Sequence, residues 1–293
     1  MTGQRTIITR LIGGLGNQLF QYAAARALAL RHGGSVKLDL SGFESYGLRR
    51  YELGSFPIAA SEASADELAA LAAPPPSGLV ARIVARFSGP KPSHYREPHF
   101  HFDPNLSRQA LPLYIDGYWQ SERYFADARE PLLRELTPHN PLEPDNARTA
   151  DMIRGTQAVS LHVRRGDYVT NAHTNAYHGV CSLDYYRAAV AHMAAAVPNP
   201  HFFVFSDDHA WTRENLTTGH PTTFVDANPA DRGFRDLQLM SMCRHHVIAN
   251  SSFSWWGAWL NPSPSKIVTA PARWFAATDK DTSDLIPEGW VRL

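Results

Sequence analysis

Ala158-Val159-Ser160-Leu161-His162-Val163-Arg164-Arg165-Gly166-Asp167-Tyr168 is the stretch from which the rest of the chain is read. Ala158–Leu161 is a short apolar run of the kind that forms a buried strand. It runs into two adjacent arginines, a glycine and an aspartate. Two neighbouring guanidiniums repel each other, so the pair needs a counter-charge. A diphosphate would supply one, because planar, permanently charged forks bind phosphate oxygens in pairs. Gly166 allows the chain to turn behind them. Asp167 is placed to hold one guanidinium by an ion pair. A solvated surface turn is the alternative, since a short motif alone is weak evidence.

The flanking pattern favours a site. The apolar runs Ala158–Val163, Phe202–Phe205, Phe224-Val225, His246–Ala249 and Ile267–Ala270 alternate with amphipathic stretches. The latter predict helices over about Ser182–Ala196, His209–Leu216, Asp231–Arg244 and Phe253–Leu260. Such alternation means α/β class, with a parallel sheet covered by helices on both faces. Ligands of these sheets bind beyond the carboxyl ends of the strands. Arg164 and Arg165, Asp207 and Asp208, Asp226, and Asn250 to Ser254 all fall at that edge.

The N-terminal half opens in a related way. Thr6–Ile12 reads as a strand, Gly13-Gly14-Leu15-Gly16 as a tight turn, Asn17–Arg31 as a helix and Val36–Leu40 as a strand, a βαβ unit. A dinucleotide fingerprint fails here, because Leu19 stands where a third glycine belongs. The turn is read instead as pointing Asn17 and Gln18 into a cleft. Leu113–Gln120 reads as a strand with an aromatic end, and Phe125–Leu136 as a helix. Pro138, Pro141 and Pro144 suggest an interdomain connection. Pro74–Pro76 and Gly89–Pro92 bracket Ser77–Ser88, a basic amphipathic segment. Packing on its own domain is the expected fate of that stripe, and peripheral contact with an anionic membrane is the alternative.

The chain has 293 residues, with 28 Lys and Arg against 28 Asp and Glu. That length suits one large or two ordinary domains. The balanced charge argues against a nucleic-acid binder, whose phosphate contacts need a basic excess. Cys181 and Cys243 have no metal-ligand spacing and no scaffold role. The N-terminus lacks the apolar core of a signal peptide. No run approaches a membrane span, so the cytoplasm is the expected compartment.

Asn250-Ser251-Ser252 before Phe253 resembles a helix cap, and such a start is an anion site. Ser252 and Phe253 would donate to phosphate, or cap a core helix only. Trp255, Trp256 and Trp259 at helical spacing are expected in the core. Asp207 and Asp208 form a carboxylate pair, but adjacent acids are a poor set for a hard cation. His162 either bonds ribose or phosphate or is a buried, satisfied histidine. The catalytic base stays open among His173, His178, Asp39, Asp116 and Glu122.

Gly13–Tyr22, His162–Tyr168, Phe205–Asp208 and Asn250–Leu260, in this order, resemble the bacterial α-1,2-fucosyltransferases of glycosyltransferase family 11. The resemblance implies a GT-B-like α/β fold, two Rossmann-like domains facing a cleft. It implies an N-terminal acceptor domain over 1–147, a nucleotide-sugar domain over 148–275 and a tail over 276–293 that packs back. It implies an inverting transfer of L-fucose from GDP-fucose to the 2-hydroxyl of a terminal galactoside, with no metal or other cofactor. Arg164, Arg165, Asp167 and Asn17 are then the expected catalytic residues, Arg164 contacting phosphate and Arg165 either doing the same or organising Asp167 or Asp207. His162, Gln18, Asp207, Asp208, Asn250, Ser251, Ser252 and Phe253 would bind substrate. Asp236 would accept from guanine, or be a solvated acid in the first turn of a helix. A non-catalytic carbohydrate-binding protein is the reading from another class.

Overall fold

The computed structural model describes residues 5–44, 49–72, 93–166, 169, 177–277 and 280–293. Ser77–Ser88, Asp167 and His173 lie outside the described residues. The chain divides into two compact units, Met1–Glu135 and Leu136–Leu293. The expected boundary at 147 falls inside a helix, Pro144–Arg154. That helix belongs to the second unit, because Ala150 and Ile153 enter its core beside Phe203 and Leu239.

The first unit contains β1 (Thr6–Arg10), α1 (Leu15–His32), β2 (Ser35–Asp39), α2 (Ser41–Glu44), β3 (Ala60–Glu62), α3 (Ala65–Leu71), β4 (Ser93–Arg96), β5 (Leu113–Asp116) and α4 (Arg129–Glu135). Its sheet runs β3-β2-β1-β5-β4, every pair parallel. Central β1 is buried on both faces, with Ile7 on one and Ile8 on the other, as expected for a strand covered on both sides. Helix α1 is buried nearly all round, including Leu19, Ala23, Ala24, Ala27 and Leu28. It stops at Gly33, whose φ of 60° is the left-handed cap that glycine adopts without a Cβ clash. The expected helix over 125–136 begins only at Arg129, after two 3-10 turns. Phe125 causes the delay. Its buried ring packs on Phe20 at 5.9 Å, and its backbone leaves helical geometry to reach it. β3 and β4 are short edge strands without an apolar run, which hid them from periodicity.

The second unit contains α5 (Pro144–Arg154), β6 (Gln157–Val163), α6 (Leu183–Ala196), β7 (Pro200–Ser206), α7 (His209–Asn215), β8 (Thr222–Val225), α8 (Gly233–Met242), β9 (His245–Val247), α9 (Ser252–Trp259), β10 (Val268–Ala270) and β11 (Val291–Arg292). The strand order is β11-β10-β9-β6-β7-β8, again all parallel. Counted within the unit this is the doubly wound order that reverses between its first and fourth strands, here β6 and β9. Along β6, Val159, Leu161 and Val163 face α6, while Ala158 faces α5 and α8. Phe202, Phe203 and Phe205 on β7 are buried, each worth about 1.5–3 kcal/mol. The residues beyond 276 close the sheet: β11 pairs with β10, and the Trp255 indole donates to the Leu285 carbonyl at 2.9 Å. Both halves of the α/β, GT-B-like expectation are therefore Rossmann-like parallel sheets. Among the described residues no helix is long and apolar enough to cross a membrane.

Candidate functional site

In the second unit the chain leaves β6 at Arg164 and Arg165, and leaves the adjacent β7 at Asp207 and Asp208. Val163 pairs with Ser206 in the register, so the two polar pairs emerge level. Arg164 Nη1 lies 2.9 Å from Asp207 Oδ2. The backbone N–H of Arg165 donates to Asp207 Oδ1 at 2.8 Å. Arg165 Nε donates to Asp208 Oδ2 at 3.3 Å, and its guanidinium lies 3.6 Å over the Trp211 ring. Asp208 Oδ1 accepts from the Trp211 N–H at 3.2 Å and caps α7. Every oxygen of the two aspartates thus has a donor.

Asp207 and Asp208, expected at the substrate, spend these bonds within the protein. They hold the arginines. Among the described residues no group of three His, Cys, Asp or Glu side chains is arranged to hold a metal. Gly166 is needed for a reason other than its turn: a Cβ there would sit 2.4 Å from Asp207 Oδ2. Paired with two carboxylates, the guanidiniums sit side by side without net repulsion, and each has more N–H donors than one carboxylate takes.

His162 precedes the arginines and is buried, its ring 5.6 Å from that of Phe253. Burial pushes the imidazole down to about 4; Asp207 pulls it up in part, and Arg164 pushes it down further. His162 is therefore neutral near pH 7. Its Nδ1 has no hydrogen-bond partner among the described residues, so it is buried without being satisfied.

β9 ends on the other side of β6, at the strand reversal. Asn250, expected at the substrate, is buried with its amide engaged inside the protein. Its Nδ2 donates to the carbonyls of His178, Gly179 and Trp274 at 3.0, 3.2 and 3.1 Å. It ties two loops to the strand end. Ser251 is the N-cap of α9 but makes no side-chain cap bond; its carbonyl accepts from the Trp255 N–H at 3.0 Å. Ser252 and Phe253 open the helix, whose dipole favours an anion there. Trp255, Trp256 and Trp259 are buried as core, Trp255 stacked on Trp259 and Trp256 edge-on to both.

Asp236 lies in the first turn of α8 and is not a solvated acid. Its Oδ1 accepts from Asn228 Nδ2 at 2.7 Å, and Asn228 exchanges two amide bonds with Asn146. Burial raises its pKa to about 6, with the Asn228 bond lowering it in part. Next to it, buried Arg235 donates to the carbonyls of Asn140 and Pro141 and to Glu143. It pins the proline-rich segment to α8.

The first unit has its own strand reversal, between β1 and β5. Asn17 follows the glycine turn after β1, and its Oδ1 accepts from Gln120 Nε2 at 2.8 Å. Gly13 has φ 79°, and a Cβ on it would lie 2.5 Å from Asn17 Nδ2. Gln18 is not turned into a cleft. It is buried, donating to the carbonyls of Gly13 and Arg50 and accepting from the Glu52 N–H. Of the base candidates, Asp39 is buried with both oxygens engaged, by Tyr114 at 2.5 Å and the Ser41 N–H at 2.9 Å. Asp116 ends β5 and pairs with Arg10 at 3.4 Å. The His178 ring packs against Tyr177 and Phe275. Gln120, Trp211 and Asn228 escaped the sequence reading. Each lies near a motif residue in space but carries no motif of its own.

Both units are thus parallel α/β sheets, with an arginine pair at one strand reversal and an amide pair at the other. The sequence model of Glycosyl transferase family 11 matches residues 94–293. An alpha-1,2-colitosyltransferase of Escherichia coli is 35% identical over 98% of this chain and 98% of its own. The O-antigen biosynthesis glycosyltransferase WbnK of Escherichia coli is 33% identical, over 97% of this chain and 99% of its own. The galactoside 2-alpha-L-fucosyltransferase SEC1 of Bos taurus is 29% identical over 61% of this chain and 51% of its own. The chain belongs to glycosyltransferase family 11.

Proposed function

We propose that this glycosyltransferase moves L-fucose from GDP-fucose to the 2-hydroxyl of a terminal galactoside, inverting the anomeric centre. The observation that carries the reading is the Arg164–Arg165 pair, braced by Asp207 and Asp208 at the β6–β9 reversal. As the acceptor hydroxyl attacks the anomeric carbon, negative charge grows on the departing diphosphate. Arg164 donates to it, and the N–H groups opening α9 add a second source of positive potential. Fixed guanidinium charge does the work otherwise given to a cation, so turnover persists in excess EDTA. Asp236, ionised above about pH 6, accepts from the ring N–H and amino group of guanine. Asn17 and Gln120 serve the acceptor end.

The colitosyltransferase relative supports a second donor. Colitose is L-fucose without its 3-hydroxyl, so the two readings differ by one group on the sugar. Side-by-side turnover of GDP-fucose and GDP-colitose on a β-galactoside, with the product linkage assigned by NMR, tests both. Faster turnover of GDP-fucose to an α-1,2 product is the expected result, and faster turnover of GDP-colitose selects the second reading. GDP should inhibit far better than UDP; equal inhibition by the two removes the guanine assignment.

A further inference from the structure

The loop that leaves β5 is held in an unusual conformation. Trp119 has φ 56°, the left-handed region, which a bulky residue occupies at a cost of about 1–3 kcal/mol. Its indole is fully buried, and its Nε1–H finds no partner among the described residues. Two devices hold this geometry. The Glu97 carboxylate accepts from the N–H of Tyr118 at 2.8 Å and of Trp119 at 2.9 Å. The indole itself packs between Tyr95, at 6.4 Å, and Tyr124, at 5.4 Å. Gly117 allows the clamp, since a Cβ there would lie 2.4 Å from Glu97 Cβ.

The clamped loop presents two things at the β1–β5 reversal. Gln120 reaches Asn17. Tyr118 remains 40% exposed, one of few large apolar side chains so placed. We propose that Tyr118 is the stacking platform for the acceptor, and that it selects a galactopyranoside. The proposal rests on the function given above and assigns its acceptor subsite. The chemistry matches. The axial 4-hydroxyl of galactose leaves C3–H, C4–H and C5–H on one face, which lies flat on an aromatic ring. In glucose the equatorial 4-hydroxyl interrupts that patch. The amide pair two residues on supplies hydrogen bonds of the kind that fix hydroxyls, and a rigid platform loses little freedom on binding.

The test uses the full-length protein with GDP-fucose as donor and methyl β-D-galactoside as acceptor. Tyr118→Ala should raise the acceptor KM about tenfold or more, the scale of one lost face of apolar burial. The donor KM and the GDP affinity should stay at wild-type values. Tyr118→Phe keeps the ring and should keep the wild-type acceptor KM; Tyr118→Leu keeps apolar bulk and should behave like Tyr118→Ala. GDP binding and Tm of each variant report folding directly. With GDP bound, saturation-transfer NMR should mark H3, H4 and H5 of the galactoside most strongly, and Tyr118→Ala should abolish the pattern. A wild-type acceptor KM in Tyr118→Ala, or a donor KM that rises in step, overturns the assignment and leaves the proposed function standing. Absence of both turnover and saturation transfer in the wild-type protein overturns this assignment together with the galactoside half of that function.

Discussion

Arg164 and Arg165 are neighbours with different surroundings. Arg165 is fixed on three sides, by Asp208, by the Trp211 face and, through its N–H, by Asp207. Arg164 Nη1 pairs with the Asp207 carboxylate. Arg164→Lys keeps the charge but loses the planar fork. It should lower kcat by about 10²–10³, the usual cost of one misplaced donor to developing charge. Arg165→Lys should cost less in kcat and more in Tm, because it loses stacking and a bond within the fold. Steady-state kinetics and thermal denaturation of both variants check the split. The guanine contact proposed for Asp236 makes GDP binding pH-dependent. Its folded pKa of about 6 stands above the ordinary 3.8. GDP affinity should therefore fall as pH drops through 6, as the acceptor for guanine takes up a proton. Stability runs the other way: the share contributed by this group is complete below 3.8 and is lost as pH rises through 6. Titrating GDP across the range from about one unit below to one unit above that pKa should show a steeper slope in the wild type than in Asp236→Asn, whose remaining slope is that of the GDP phosphate.

At the scale of elements, glycine contacts decide how closely the site-bearing helices approach. Gly257 of α9 faces Met240 of α8, and a Cβ on it would sit 2.9 Å from Met240 Cβ. α8 carries Asp236 and α9 carries Ser252, so this contact sets the spacing of the two helix starts proposed to meet GDP. Gly257→Ala should destabilise the protein by about 1–3 kcal/mol through overpacking. It should weaken GDP binding beyond what the fall in Tm explains, measured by titration well below the new Tm. An unchanged GDP affinity would show that the two helices position the site independently. The doubly wound connectivity has the same spatial consequence on a larger scale. Because β6 lies between β7 and β9, loops more than forty and eighty positions apart in sequence meet at one edge.

At the scale of the molecule, the second unit is closed by its last residues. β11 caps the sheet edge, Leu285 and Ile286 are buried, and Trp290 packs on Trp255 at 5.6 Å. Deleting residues 284–293 strips all of these. Scanning calorimetry should then lose the transition that GDP raises in the intact chain. At a GDP concentration of about a hundred times Kd, that rise corresponds to about 2.7 kcal/mol. Survival of a GDP-responsive transition in the truncated chain would show that the tail only covers a finished fold.

The sequence by itself determined the class, the alternation of strands and helices and the edge at which polar residues gather. Each of these rests on short-range periodicity, which buried strands such as Ala158–Val163 print directly on the chain. It also placed Trp255, Trp256 and Trp259 in the core, because three indoles at helical spacing have one economical fate. Only the tertiary structure decided which motif side chains are spent inside the fold. Gln18 and Asn250 are polar, follow strands and sit inside motifs, as Asn17 and Ser252 do. Their amides are nevertheless consumed by backbone carbonyls of other loops. Asp207 and Asp208 read as a pair of acids and act as the brace for a pair of bases. A side chain's donors and acceptors are allotted by whichever groups arrive beside it in space, and that allotment is fixed by strand order, which no local pattern encodes.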